Sequence, residues 1–592
     1  MSRHDPVIGT ARYDREVVGR PASDEQHSDS APEARQASAS HRKLVWACRA
    51  IAVALGALQA WAYRYEANPD GVSYLDVADA YREGRWGNAP NGYWSPLYSW
   101  WLAIGAVILR WPPSADFVLA HVVNFVVFVV ALIAFEYFLR GIEAFHDMPS
   151  ALRAERTRDW WIAGYALFLW STLRLIGLGT LTPDTFLAAA AFGAAGVLVR
   201  VRYAGAHWRH AGALGTVAGL GYLTKLAFLP LTIVFLAVAA VLWGRNKRAV
   251  ILSLFAAACF TLVASPYVVA LSRAQGRFTF GETGRIAYAW MVNGVRGVVH
   301  WQGGPPTAGA PVHPTRQISV TPEAYEFSAP LGGTYPPWYD PSYWYEGVKI
   351  SPAPLVQARI AFAHLPRILD LHAPLLLLAV ALVIALRVPR DSLRRALSRG
   401  CFLIVPGTAA VVMYALVLLD TRYVAPFVVM VWVGVLLILE PFTPVNWRRG
   451  LWVGASVVLT ASTLSSLIPG FRALVPGRRD SHADAASFVL QSGLRPGDDL
   501  AIIGDGLFAY WARLARVRLV AELPSSSAES HWRSGRERQD ALLQKFRQAG
   551  AMAVVAAGPP PGLESRGWRV SPDGSLAVLL LSAPVQTGRA EP

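Results

Sequence analysis

The stretch LVWACRAIAVALGALQAWAYRYEANPDGVSYLDVAD, residues 44–79, joins two unlike signals. Leu44 to Tyr63 is an apolar run, and a helix rising about 1.5 Å per residue needs about 20 residues to cross the hydrocarbon of a bilayer. The run begins too late and is too long for a cleaved signal peptide, so it reads as a retained signal anchor. Directly beyond it stand three carboxylates, Asp70, Asp76 and Asp79, on a chain that has just left the membrane.

The rest of the chain repeats the first signal. Of its 592 residues 54% are hydrophobic and 16% are charged, against about 25% charged in an average soluble protein. The missing charges leave long uncharged runs, which makes this a polytopic α-helical membrane protein. Collagen and a disulfide scaffold are excluded, and Cys48, Cys259 and Cys401 all lie in apolar stretches. Further spans are predicted near 115–140, 159–181, 185–203, 249–271, 371–388, 401–419, 422–440 and 450–468. With a broken pair at 211–224 and 228–243 the total is about 11 transmembrane helices, accompanied by interfacial ones.

Orientation follows from the basic loops. Arg153, Arg156 and Arg158, then Arg200, Arg202 and Arg209, then Arg387, Arg394, Arg395 and Arg399, then Arg448 and Arg449 all fall on one side. The positive-inside rule makes that side cytoplasmic, together with the N-terminus. The net charge of +15 is therefore mostly topology and gives no reason to expect nucleic acid as a partner.

Residues 1–42, polar and without an apolar period, read as a disordered cytoplasmic tail. Two external loops are expected, at 66–114 and 272–370. The first contains a short apolar helix, Leu97 to Trp111, placed along the interface because it is too short to span. The second is dense in Gly, Pro, Trp and Tyr. Past Pro469 helices alternate with short apolar strands, which predicts a small external α/β domain over 477–585 with a partly parallel sheet. Its Gly504, Asp505, Gly506 sequence lacks the rest of a phosphate-binding fingerprint and reads as a tight turn.

The informative charges are the few on the external side. Asp70 follows the first span in a Pro-Asp-Gly sequence. Asp184 sits in LTPDTF, where one span turns into the next and where proline and an acid also suit a helix start. Lys225, in GYLTKLAF, stands between two short apolar helices, where a charge is costly and usually functional. Arg422, in LLDTRYVAP, breaks the positive-inside pattern and has Asp420 beside it. Asp76 and Asp79, three residues apart on one helical face, read most plainly as a water-facing pair. An acid in such a set could take a proton from a hydroxyl, while Lys as a point charge and Arg as a planar fork could hold a phosphate.

In this order the residues resemble a known group. A first-loop Asp70 with Tyr74 four residues on, an SPLY segment (Ser95 to Tyr98), the Pro183–Asp184 pair, a lysine in a broken helix and Arg422–Tyr423 near a late span look like the membrane glycosyltransferases of the GT-C fold. The nearest branch is the bacterial group of protein O-mannosyltransferase and aminoarabinose transferase. The resemblance implies a GT-C-like transmembrane catalytic domain over 43–470. It implies an enzyme moving a hexosyl or pentosyl group, with inversion, from a polyprenyl-phosphate donor to an acceptor hydroxyl on the external face. It assigns Asp70 and Asp184 to catalysis and Lys225, Arg422 and Tyr423 to the donor phosphate. Tyr74, Asp76, Trp94, Tyr98, Trp338 and Trp344 are the candidate acceptor or donor contacts. Many relatives carry Glu directly after the first Asp, whereas this chain has Gly71.

The chemistry is consistent with that assignment. A sugar on phosphate already has a good leaving group, so the site needs a base for the attacking hydroxyl and cations for the departing phosphate. Loop 272–370, with the run PPWYDPSYWYEG, is suited to an acceptor or lid role. His300, His313 and His364 lack a metal-ligand spacing, so no metal or cofactor is expected, with a divalent cation between Asp70 and Asp184 left as an open alternative. The expected partners are the bilayer, a polyprenyl-phosphate sugar, and a glycan, lipid or protein acceptor. The competing classes are a transporter or lipid flippase, against which stand the absence of an internal repeat and the one-sidedness of the candidates, and a catalytically silent scaffold.

Overall fold

The computed structural model describes residues 30–144, 150–295, 300–304, 306–328, 332–386, 390–443, 445–473 and 479–581. Residues 1–29 of the expected tail, Arg387, and 477–478 and 582–585 of the expected α/β domain lie outside them. Helices follow in the order α1 (Ser30–Ala62), α2 (Pro69–Arg82), α3 (Pro96–Leu109), α4 (Asp116–Ala144), α5 (Ser150–Leu169), α6 (Asp184–Ala204), α7 (Trp208–Thr224), α8 (Phe228–Trp243), α9 (Lys247–Ala274) and α10 (Thr283–Met291). After the short turns α11 (Pro336–Tyr339) and α12 (Pro341–Trp344) come α13 (Pro354–Leu386), α14 (Arg390–Ala415), α15 (Thr421–Leu439) and α16 (Val445–Ala473).

Six of these helices are long and apolar enough to cross a membrane, and α3, α8 and the Trp452–Ile468 part of α16 are shorter apolar helices. This is a multi-pass membrane protein. Three expectations need correction. Residues 30–42 are helical and extend α1 where a disordered tail was expected. The span expected to run to 181 leaves α-helical geometry at Trp170 and ends, after a π-turn, at Ile176. The helix expected from 371 begins at Pro354. Helix α3, expected at the interface, has 14 residues, about 21 Å of helix against about 30 Å of hydrocarbon, and bares Ile104, Val107 and Ile108.

Lipid cannot drive apolar helices together by hydrophobicity, so close backbone approach and buried polar contacts do the work. A Cβ at Gly400 on α14 would lie 2.1 Å from the Gly434 carbonyl oxygen on α15, and one at Gly215 on α7 would lie 2.1 Å from the Ala256 carbonyl oxygen on α9. On α4, Glu136 accepts from Arg49 of α1 at 2.6 and 2.5 Å and from the Tyr165 hydroxyl of α5 at 2.6 Å. Phe128, Phe135, Phe168 and Phe192 fill the space between α4, α5 and α6.

The C-terminal domain holds α17 (Ser481–Gln491), α18 (Tyr510–Ala515), α19 (Ser525–Arg533) and α20 (Arg536–Gln548) around a seven-stranded sheet. Five strands come from the domain: β3 (Asp499–Ile503), β4 (Arg518–Leu523), β5 (Ala553–Ala557), β6 (Arg569–Val570) and β7 (Leu576–Leu580). The other two, β1 (Arg316–Val320) and β2 (Glu323–Glu326), are a hairpin from the long loop between α9 and α13. The order is β1-β2-β4-β3-β5-β7-β6, with β3 parallel to both β4 and β5 and β2 antiparallel to β4 through Tyr325 and Glu522. The sheet is partly parallel as expected, but it is not built from residues past 469 alone. Gly504 is the expected turn residue, with φ +138°.

The domain is docked by charge. Arg513 on α18, 4% exposed, reaches Asp76 at 2.7 Å, Asp79 at 2.6 Å and Asp116 at 2.8 Å, and Arg516 also reaches Asp79 and Asp116. Asp76 further accepts from Thr334 N at 2.8 Å and from its hydroxyl at 2.9 Å. The expectation of a water-facing Asp76 and Asp79 is therefore overturned: both are buried under the domain.

Candidate functional site

The site is assembled where chain breaks bring four charged side chains together. Helix α7 stops at Thr224, Lys225 is extended (φ −156°, ψ 127°), and α8 starts at Phe228, so the lysine projects from a gap between two half-helices. Gly221 permits that turn, since a Cβ there would lie 2.5 Å from the Phe228 ring. Asp184 occupies the first turn of α6, following the loop that the early end of α5 leaves free. Asp420 caps α15 by accepting from Arg422 N at 3.1 Å, which sets Arg422 at that helix's start.

Asp70, in the first turn of α2, is brought in by Asn68, whose Oδ1 accepts from Leu181 N at 2.8 Å and ties the start of α2 to the strap before α6. The approach is close: a Cβ at Gly71 would lie 2.5 Å from Leu181 Cβ and 3.1 Å from Asn68 Oδ1. The glycine that departs from the Asp-Glu pattern thus stands where any side chain would strike the strap that carries Asp184.

All four charges line one cavity of about 370 Å³, with Tyr74, Trp94 and Tyr423. Lys225 Nζ lies 2.6 Å from Asp184 Oδ1 and 3.5 Å from the centre of the Tyr423 ring. Arg422 lies between the acids, 3.6 Å from Asp184 Oδ2 and 3.8 Å from Asp70 Oδ2, and donates to the Tyr423 hydroxyl at 3.2 Å. The acids differ in access. The Asp184 side chain is 0% exposed and that of Asp70 28%. Burial pushes the Asp70 carboxyl above the usual carboxylate range, outweighing the pull of Arg422 and Lys225. Asp184 is thus a fixed counter-ion that positions two cations, while Asp70 is the acid that an incoming molecule can reach.

The cavity also shows residues that the sequence did not single out. Tyr93 lines it, held by Asn91, whose Oδ1 accepts from the backbone N–H groups of Tyr93 and Trp94, each at 2.9 Å. Thr283 and Ala287 on α10 line it from the second external loop, and the Thr283 hydroxyl donates to the Tyr93 carbonyl at 2.6 Å. The aromatic density of NGYWSPLY was the available signal for Tyr93; nothing local marked Thr283.

Three expected contacts lie elsewhere, and a fourth, Trp338, touches the site from behind. Asp76 is committed to Arg513 and Thr334. Tyr98 is fully buried beneath Tyr74 and donates to Asn124 at 2.7 Å. Trp344 is buried and donates from Nε1 to the Pro336 carbonyl at 2.9 Å. Trp338 packs edge-on against Trp94 and stacks on Trp290, and its side chain reaches the Asp70 carboxyl, so this expected contact does bear on the site. The PPWYDPSYWYEG run is thus mainly packing. Among the described residues no group of three or more His, Cys, Asp or Glu is placed to hold a metal ion, and Asp70 and Asp184 already face two cations.

No family model matches the chain, and no curated protein matches it in sequence. Solved structures do. ArnT from Cupriavidus metallidurans bound to undecaprenyl phosphate superposes with a TM-score of 0.53 at 14% identity, over 90% of this chain and 97% of that one. An oligosaccharyltransferase from Archaeoglobus fulgidus in the apo form gives a TM-score of 0.48 at 13% identity, over 92% of this chain and 75% of that one. At these identities the likeness is one of architecture, and the ArnT superposition establishes that the chain has the GT-C fold.

Proposed function

We propose that this protein is a membrane glycosyltransferase that moves a sugar from a polyprenyl-phosphate donor to an acceptor hydroxyl at the external membrane face. The observation that carries the proposal is the convergence of Asp70, Asp184, Lys225 and Arg422 on one cavity with a single accessible carboxylate. The undecaprenyl phosphate bound to the ArnT neighbour supports a lipid-linked donor. In the proposed reaction Asp70 takes the acceptor's proton as the acceptor oxygen bonds to the anomeric carbon. The bond from that carbon to the phosphate oxygen breaks, and the electron pair leaves with the phosphate. Lys225 and Arg422, aimed by Asp184, stabilise the charge that develops there; such a contact is worth about 10² to 10³ in rate.

The remaining features belong to the same proposal. About eleven helices cross the membrane, the N-terminus is cytoplasmic and the C-terminal domain external, in line with the basic loops. Hexosyl and pentosyl donors are the candidate sugars, and no metal is required, since the cations are supplied by the chain. The test is release of polyprenyl phosphate from a labelled polyprenyl-phosphate sugar by the purified protein, with cell-envelope extract as acceptor source. Turnover that depends on Asp70 supports the proposal; turnover unaffected by Asp70→Asn overturns it.

A further inference from the structure

The C-terminal domain carries a second cavity, of about 300 Å³, that shares no residue with the one around Asp70. It opens between α19, α20 and the β6–β7 edge and is lined by Trp532, Trp568, His531, Arg536, Arg566 and Asp540. The two indoles meet edge to face with centroids 5.9 Å apart. Gln539 organises the wall. Its Nε2 donates to the carbonyls of His531, Trp532 and Ser534 at 3.3, 3.1 and 2.8 Å, and its Oε1 accepts from Arg566 Nη1 at 3.0 Å.

The charged groups here have no ionic partners among the described residues. Neither Arg536 nor Arg566 has a carboxylate partner among the described residues, and Asp540 has no cation partner among them. His531 is 1% exposed, and its Nδ1 has no hydrogen-bond partner among them. Burial holds the His531 ring down to a pKa of about 4, so it is neutral at physiological pH. A pocket of this size with an aromatic wall and a few convergent polar groups is the usual form of a small-molecule site. Indole faces accept the C–H side of a sugar ring, while arginine forks match a carboxylate.

We propose that this cavity binds one anionic sugar residue, a uronate of a glycan. Trp532 and Trp568 pack the ring, Arg536 and Arg566 hold the carboxylate, and Asp540 and His531 take hydroxyl groups. With two arginines against one carboxylate the wall carries a net positive charge, which favours an acidic sugar over a neutral one. The site does not rest on the transfer reaction proposed above.

The experiment is ligand-observed saturation-transfer NMR on the full-length protein in detergent, with glucuronic acid, glucose and inorganic phosphate as probes. Glucuronate is expected to be saturated and glucose much less. Arg566→Gln and Trp532→Ala are expected to weaken glucuronate about tenfold or more, the scale of one charge-assisted hydrogen bond, and Arg422→Gln is expected to leave it unchanged. Thermal unfolding checks each variant, and Arg566→Gln, which keeps the Trp pair, decides the matter if Trp532→Ala misfolds. The proposal is overturned by an absence of glucuronate saturation, by equal saturation of glucose, by phosphate displacing glucuronate as well as glucuronate itself does, or by loss of the signal in Arg422→Gln.

Discussion

Lys225 Nζ lies 2.6 Å from Oδ1 of Asp184, a carboxylate with no exposed surface. Removing one partner of a buried pair strands the other charge, at a cost of about 3 to 5 kcal/mol, whereas replacing both is often close to neutral. Lys225→Met should therefore lower the unfolding temperature markedly, although Arg422, 3.6 Å from the other Asp184 oxygen, offsets part of the loss. The double variant Asp184→Asn, Lys225→Met should recover most of the stability and none of the transfer. Thermal unfolding in detergent beside the transfer assay separates the two; a double variant as unstable as the single one contradicts the pairing.

Asp70→Asn should reduce transfer about 10²- to 10⁴-fold, the scale of general-base catalysis, with little change in stability because the side chain is partly open to the cavity. Asp70→Glu is expected to recover part of the rate. Steady-state kinetics with a polyprenyl-phosphate sugar is the measurement.

The pH dependence of transfer has a definite sign. The base must be ionised, and burial raises the Asp70 carboxyl above its ordinary value, which is about 3.9 in model peptides. Activity should therefore fall on acidification at a pH above the ordinary carboxylate range. An acid limb at or below pH 4 in the rate profile would remove Asp70 from the base role.

Gly71→Glu restores the pattern of many GT-C relatives, yet it should lower both stability and transfer. Its Cβ would lie 2.5 Å from Leu181 Cβ, so α2 must shift and carry Asp70 away from Arg422. Gly71→Ala should show the same effect more weakly, read as a fall in unfolding temperature and in kcat.

Arg513→Met should strand Asp76 under the C-terminal domain, leave Asp79 and Asp116 to Arg516 alone on that side, and cost several kcal/mol. Arg513→Lys should rescue it poorly, since a point charge cannot replace a fork bonded to three carboxylates. Acid attacks the same joint. Burial pushes Asp79 up, but Arg513, Arg516 and Arg82 together hold it below the ordinary range. Its stabilisation is complete above the unfolded value of about 3.9 and is lost as the pH falls through the lower folded value. Asp76 is pushed above the ordinary range by burial, against Arg513. Asp79→Asn should blunt the acid limb of a stability-against-pH curve, and Asp76→Asn should not.

The helical part of the fold was legible because apolar length and basic loops are local signals, and the four site charges stood out because they were among the few expected on the external side. What failed to show was long-range. Asp76 looked solvated because its partner Arg513 lies 437 residues away. Residues 316–326 looked like loop because their pairing partner, β4, is encoded after four further long membrane-domain helices and part of the C-terminal domain. Tyr98 and Trp344 share the aromatic character of Tyr93 and Trp94, and composition does not distinguish a cavity wall from the packing behind it.

The borrowed hairpin also orders events in time. During synthesis β1 and β2 emerge before α13 to α16 and must wait, with one edge unpaired, until β4 is made. In a chain that ends early the hairpin stays open, and in a chain that loses the hairpin β4 becomes a bare edge able to pair with another molecule. Completion of the sheet therefore rests on a single strand-to-strand seam, Tyr325 and Glu326 against Glu522 and Ala521.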